Sequence, residues 1–159
     1  MIRPANIEDS DVITRISFES KGYWGYPEEY FEVWKDELTI SSGYIQDNSV
    51  FVYEDHGLVV GYYSMTELKE DLEVSGIKID MGYWLEHMFV MPGCIGHGIG
   101  TDLFNHLKEQ CRAKGIKGFR ILADPHSKGF YESMGCVYLK EYSSTIAGRT
   151  TPLLVFGID

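Results

Sequence analysis

Residues 92–101 read PGCIGHGIGT, with glycine at 93, 96, 98 and 100. An apolar stretch ending at Val90 precedes them. A helical pattern follows, with Ile99, Leu103, Leu107 and Cys111 at intervals of four and Gly115 standing after Lys114 as a stop. This succession of strand, glycine loop and helix constrains the fold more than any other feature. Pro92 ends the strand because it has no N–H to offer a ladder. Gly96, Gly98 and Gly100 permit unusual φ and a close approach of backbone to ligand. The amides of roughly 96–101 lie at a helix start, where they lack intrahelical acceptors and the helix dipole favours an anion. Two phosphate loops are excluded. GxxxxGK[ST] needs a lysine that the loop lacks, and GxGxxG needs a glycine where Thr101 stands. A tight turn without ligand is the remaining alternative on spacing alone.

The rest of the chain alternates helical and strand patterns with no repeat, low-complexity tract or linker. Residues 2–4 read as a strand. A helix capped by Asp9 or Ser10 runs to about Ser20 with Val12, Ile13, Ile16 and Phe18 partly on one face, and a second starts at Pro27, with Tyr30, Phe31, Trp34 and Leu38 at helical spacing. Strands are predicted over 49–54 and 58–68 around an Asp55-His56-Gly57 turn. A hairpin is predicted near Ser75-Gly76, followed by one long strand to Val90. Beyond the 99–114 helix come a strand over 118–123, a helix over 126–134 and strands over 136–143 and 152–158. The order predicts one mixed α/β domain over residues 1–159, built on a single sheet.

Composition narrows the function classes. A net charge of -10 opposes non-specific nucleic-acid binding and favours a cationic partner. No apolar run reaches membrane-spanning length, and MIRPANIEDSD does not have a signal-peptide pattern. Cys94, Cys111 and Cys136 are odd in number and lack CxxC spacing, which argues against a disulfide framework or metal site. These features predict a soluble cytoplasmic protein with no metal, nucleic-acid partner or membrane partner. Cys94 has no base near it in sequence and reads as a small buried hydrophobe rather than a nucleophile.

Val90-Met91-Pro92-Gly93-Cys94-Ile95-Gly96-His97-Gly98-Ile99-Gly100 resembles motif A, V-x-P-x-x-x-G-x-G-x-G, of the GNAT superfamily of acyl-CoA-dependent N-acetyltransferases. Asp124-Pro125-His126-Ser127-Lys128-Gly129-Phe130-Tyr131-Glu132-Ser133-Met134-Gly135 is similar to the family's N-x-x-A-x-x-(F/L)-Y-E-x-x-G segment. The IRPANIEDSD opening also resembles the family's, so the likeness spans nearly the whole chain. It implies a GNAT-like α/β fold: a twisted, mixed, mostly antiparallel sheet flanked by helices, with a V-shaped splay between strands 4 and 5. Acetyl-CoA is the implied acyl donor, lying in that gap. Met88, Phe89 and Val90 would offer backbone groups to its pantetheine arm. Ile95, Gly96, His97, Gly98, Ile99, Gly100 and Thr101 would cradle its pyrophosphate, with Asp124, Ser127 and Phe130 also on the donor side. The family usually has Arg or Gln where this chain has Ile95, and often Asn where it has Asp124.

The implied reaction is transfer of acetyl to a primary amine of a small molecule or protein. Tyr131 matches the motif tyrosine that commonly gives a proton to the departing sulfur; its alternative role is an aromatic anchor. Glu86 and His87 are the candidate bases, and strand alternation puts them on opposite faces. His87 needs no tuning for the task, whereas Glu86 needs a raised pKa or a water relay. Tyr23, Trp24 and Tyr26, in a glycine-bearing loop, are candidates for the acceptor wall, since aromatic faces suit a cationic amine. A homodimer through terminal strands is an assembly the resemblance allows. The alternative function is a GNAT-like module that senses acyl-CoA without turnover, motivated by Ile95 and the open choice of base.

Overall fold

The fold is described for residues 1–74 and 76–158 of a computed structural model. The chain forms two compact units, each built from two stretches of sequence: Met1–Met65 with His87–His106, and Thr66–Glu86 with Leu107–Asp159.

The first unit opens with strand β1 (Ile2–Pro4) and a 3₁₀ turn, Ile7–Asp9. Arg3 explains the charged opening of the sequence. Its guanidinium donates to both Asp9 oxygens (2.8 and 3.0 Å) and, through Nε, to Glu54 (2.8 Å). The Arg3 hydrogen bonds hold the Asp9 carboxyl below its ordinary pKa, against the opposing effect of burial. Helix α1 (Ser10–Gly22) follows, starting one residue after Asp9, which makes no side-chain cap. Its buried stripe is Ile13, Ile16, Ser17 and Ser20, whereas Val12 and Phe18 of the predicted face are only half-buried. The buried serines have partners. Ser17 donates to the Ile13 carbonyl (3.0 Å) and so receives the Tyr62 hydroxyl (2.5 Å), and Ser20 donates to the Val90 carbonyl (2.5 Å).

Helix α2 (Glu28–Leu38) starts after Pro27 and buries Trp34 and Leu38. Helix α3 (Ser42–Asp47) was not predicted. Six residues with a glycine give no readable period, but Ser41 accepts the Tyr44 amide as its N-cap. Strand β2 (Ser49–Asp55) pairs antiparallel with β3 (Leu58–Leu68) through a turn whose His56 and Gly57 both have positive φ, 51° and 79°. Ile13, Ile16, Ile40, Ile45, Val50, Val52 and Tyr62 form the core of this unit.

The second unit takes the end of β3 and a separate two-stranded sheet of β4 (Leu72–Val74) and β5 (Ile77–Ile79). The predicted hairpin is therefore present; Gly76 has φ 78°, and Ser75 lies outside the described residues. The predicted single long strand to Val90 is broken after β5. The Met81 amide turns to Asp71 (2.8 Å), its carbonyl accepts from Arg120 (3.0 Å), and Gly82 adopts φ 127° before β6 (Gly82–Val90) begins. Helix α4 (Ile99–Lys114) contributes residues to both units. Then come β7 (Gly118–Leu122), a 3₁₀ turn Pro125–Ser127, α5 (Lys128–Ser133), β8 (Val137–Ser143) and β9 (Thr150–Gly157). Phe119 stacks on Phe156 (5.4 Å) across the β7–β9 pair.

Hydrogen bonding orders the large sheet β1-β2-β3-β6-β7-β9-β8. It is mixed and mostly antiparallel, as predicted. β4 and β5 stand apart, so the fourth and fifth strands of the large sheet by sequence are β6 and β7. These run parallel, and among the described residues their pairing rests on Trp84 opposite Arg120. β6 itself is shared: Gly82 to Glu86 belong to the second unit, His87 to Val90 to the first.

Candidate active site

In the first unit β6 leads into the glycine loop. Gly61 of β3 makes that approach close. A Cβ there would lie 3.2 Å from the Phe89 carbonyl oxygen and 3.3 and 3.4 Å from Ile99 and Leu103, so its absence lets β3 pack under both β6 and α4. Met91 donates to the Val60 carbonyl (2.8 Å), and Pro92–Cys94 forms a 3₁₀ turn. Ile95 returns to extended backbone, and Gly96 and Gly98 take φ 86° and 81°. Buried Ile99 and Leu103 anchor the helix start. The Asp102 amide closes onto the Gly98 carbonyl (3.0 Å), so the amides of Gly98, Ile99, Gly100 and Thr101 precede the first helical bond.

No heavy atom lies within 4 Å of where a Cβ would stand on Gly93, Gly96 or Gly98. Bare backbone thus faces open space at a helix start, which fits the pyrophosphate of a coenzyme A donor. The Ile95 side chain is 47% exposed and His97 is exposed. Of the residues expected beside the pantetheine, Met88, Phe89 and Val90 are half-buried, and the Val90 carbonyl is the one bonded by Ser20.

Glu86 and His87 part company. Glu86 is exposed, whereas His87 is 6% exposed with both ring nitrogens engaged. Nε2 lies 2.6 Å from the Glu37 carbonyl at the end of α2, and Nδ1 lies 2.7 Å from Ser64 Oγ. The carbonyl can only accept, so Nε2 carries a proton. In the neutral ring Nδ1 then receives the Ser64 hydroxyl, and Ser64 receives the Tyr44 hydroxyl (2.9 Å). Sequence reasoning missed Tyr44 and Ser64. The one available signal was a serine at 64, two residues from Tyr62, inside a continuous apolar strand.

The second unit brings Asp124, Ser127, Phe130 and Tyr131 together in one short segment. The Asp124 carboxylate accepts from the His126 amide (2.9 Å) and pairs with its ring (2.9 Å), capping the 3₁₀ turn. The Asp124 carbonyl accepts the Ser127 amide (2.8 Å). Phe130 meets the Tyr131 ring edge-on (5.3 Å). Tyr131 is buried, and its pKa is pushed above the ordinary phenol range, first by burial and then by Cys136 and Asp124. Burial also pushes the Cys136 thiol up to about 12.

The model of the acetyltransferase (GNAT) domain matches residues 46–135, more than half of the chain and inclusive of both motifs. The chain belongs to the GNAT family of acetyltransferases. GNAT structures also share its fold. The GCN5-related N-acetyltransferase of Rhodopseudomonas palustris is 20% identical with a TM-score of 0.78, the alignment covering 99% of this chain and 95% of that one. The PaiA N-acetyltransferase of Thermoplasma acidophilum, solved with coenzyme A, is 17% identical with a TM-score of 0.76, covering 99% and 98%. The ribosomal-protein-S18-alanine N-acetyltransferase of Escherichia coli is 16% identical with a TM-score of 0.68, covering 99% and 93%. Among curated proteins none matches the chain.

Membership of the GNAT family makes the protein an acyltransferase. Among the described residues no group of three or more His, Cys, Asp or Glu side chains is arranged to hold a metal ion, and no helix is long and apolar enough to cross a membrane.

The candidate acceptor wall lies in the first unit. Tyr23 and Trp24 are exposed and pack edge to face (4.9 Å), while half-buried Tyr26 packs edge-on to Trp34 (5.1 Å).

Proposed function

We propose that the protein is an acetyl-CoA-dependent N-acetyltransferase that passes acetyl directly to a primary amine of a small molecule or protein. The observation that carries this reading is the bare amide cradle at the start of α4, where Gly96 and Gly98 hold positive φ beneath open space. Acetyl-CoA supplies an activated acetyl group, the C–S bond breaking as a C–N bond forms. The amides of Gly96, His97, Gly98, Ile99, Gly100 and Thr101 hold the pyrophosphate without a cationic side chain, whereas the Ile95 amide, expected to join them, is spent on the Pro92 carbonyl (3.3 Å). Met88, Phe89 and Val90 serve the pantetheine, and Asp124 orders the turn that carries Ser127 and Phe130.

Tyr131 gives a proton from Oη to the sulfur. Its raised pKa keeps the phenol protonated at every pH below its ordinary value of about 10, so the acid is always loaded in the physiological range. Glu86, with an exposed carboxylate on β6, takes the proton of the acceptor ammonium at its carboxylate oxygen, directly or through water. His87, with its Nε2 proton committed to the Glu37 carbonyl, positions the strand instead. Tyr23, Trp24 and Tyr26 serve the acceptor.

Thiol release from acetyl-CoA over an amine panel tests this reading. Tyr131→Phe and Glu86→Gln should each lower kcat by roughly 10²–10³-fold on the accepted amine, with the fold intact by circular dichroism. Full activity in both variants would remove these roles. Calorimetric binding of acetyl-CoA with no transfer to any amine would favour the second reading, an acyl-CoA sensor, which the apolar Ile95 in the cradle supports.

A further inference from the structure

The ring cluster between α1 and α2 already holds a cation. The Lys21 ammonium stands 4.4 Å from the Trp34 ring centroid and 5.4 Å from that of Tyr26. Tyr30 packs edge-on to Trp34 (5.5 Å) and tilted against Tyr26 (6.0 Å), bracing both rings. Trp34 is buried, whereas Lys21, Tyr26 and Tyr30 are half-buried, so the ammonium enters from the surface. We propose that Tyr26, Tyr30 and Trp34 form a recognition site for an alkylammonium group, filled by Lys21 when no ligand is bound, that holds the remote charged end of a diamine acceptor.

Three observations lead there. A ring face attracts a cation through its quadrupole, most strongly for tryptophan, and the attraction grows as the cation loses water. Lys21 therefore shows the chemistry the box accepts. Second, α2 carries Glu28, Glu29, Glu32, Asp36 and Glu37, all exposed, in a chain of net charge -10, so the approach of cations to this helix is favoured. Third, Ser20, the neighbour of Lys21, donates to the Val90 carbonyl (2.5 Å), which fixes this end of α1 to the strand end that leads into the glycine loop.

The charge state decides which nitrogen the box takes. An amine must be neutral to attack a thioester, and a cation–π site favours the protonated form. The box therefore suits a second nitrogen that stays charged while the first reacts. This acceptor role rests on the proposed amine acetyl transfer; the ammonium site itself does not.

Tetramethylammonium is the first probe, titrated without acetyl-CoA. Lys21→Ala should bind it roughly tenfold more tightly than the unaltered protein, with the methyl proton resonance displaced upfield by the rings. Adding Tyr26→Leu should abolish the gain. Equal affinity with and without Lys21, or a gain that survives Tyr26→Leu, overturns the site. In the second arm acetyl-CoA is supplied with a linear alkyl monoamine or the diamine of the same length. Lys21→Ala should lower KM for the diamine severalfold with kcat unchanged, and leave the monoamine unaffected. Equal response of the two amines overturns the acceptor role. If neither amine is acetylated, that role falls with the amine reading, while the tetramethylammonium result still decides the site.

Discussion

His87 and the glycine loop are separated by a few residues and built in opposite ways. The loop offers backbone: amides at a helix start, two glycines with positive φ, and open space above them. His87 offers a side chain that is used up, bonded to Ser64 and, through Ser64, to Tyr44 on one side and to the end of α2 on the other. The first construction leaves groups available to a ligand, and the second ties three elements together. The histidine, conspicuous in the sequence beside a glutamate on a strand, thus marks a joint, while the less reactive glycine stretch keeps its backbone open to solvent.

If that contrast is correct, damage to the two places should separate cleanly. The largest effect belongs to Ser64→Ala. It removes the hydroxyl that links His87 Nδ1 to the Tyr44 hydroxyl, one bond buried and the other partly so, at a cost of about 1–3 kcal/mol. Urea unfolding should show that loss, while the affinity for coenzyme A measured by calorimetry stays within about twofold. An unchanged midpoint with weakened binding would make the His87 joint part of the ligand site.

The same contrast explains what could be read from the sequence. The loop was legible because glycine spacing acts locally: Pro92 stops the strand, Gly96 and Gly98 turn the chain, and Ile99 and Leu103 start a helix within the same dozen residues. The strands and longer helices were legible for the same reason, through their periods. His87 was not, because its partners come from residues 37, 44 and 64, and no local pattern announces a contact over such separations. The burial of Ser17 and Ser20 in α1 was missed likewise, since their partners Tyr62 and Val90 lie far along the chain. The break before β6 depends on Asp71 and Arg120 meeting Met81, again a distant meeting. Strand alternation separates Glu86 from His87 but does not say which of the two is exposed, since Trp84, on the Glu86 side, is buried as well.

A smaller effect distinguishes backbone strain from ligand binding in the loop. Gly98 and Gly57 have nearly the same φ, 81° and 79°, and neither has an atom within 4 Å of a would-be Cβ. Alanine at either position should cost about 1 kcal/mol of stability through the left-handed backbone alone. Only Gly98→Ala also places a methyl group over the amides, so it should weaken coenzyme A roughly tenfold, while Gly57→Ala, in the β2–β3 turn, should not. Equal affinities in the two variants would mean that the open space above Gly98 is not where the pyrophosphate sits.

The smallest expected effect is a gain. Ile95 lies in extended backbone immediately before the positive-φ glycine, with its side chain half in solvent, so a longer side chain fits there without displacing core. Ile95→Arg adds a fixed positive charge and a planar donor fork beside the proposed pyrophosphate. The site is open to water, and screening limits the benefit to roughly threefold in affinity near 0.15 M salt, growing as the salt is diluted. Titrations of coenzyme A and of its dephosphorylated pantetheine fragment at two ionic strengths check this. The gain should appear only with the pyrophosphate present and should shrink as salt rises. A gain shared by the pantetheine fragment would mean that the introduced guanidinium acts elsewhere on the donor, and no gain at low salt would place the pyrophosphate beyond the reach of position 95.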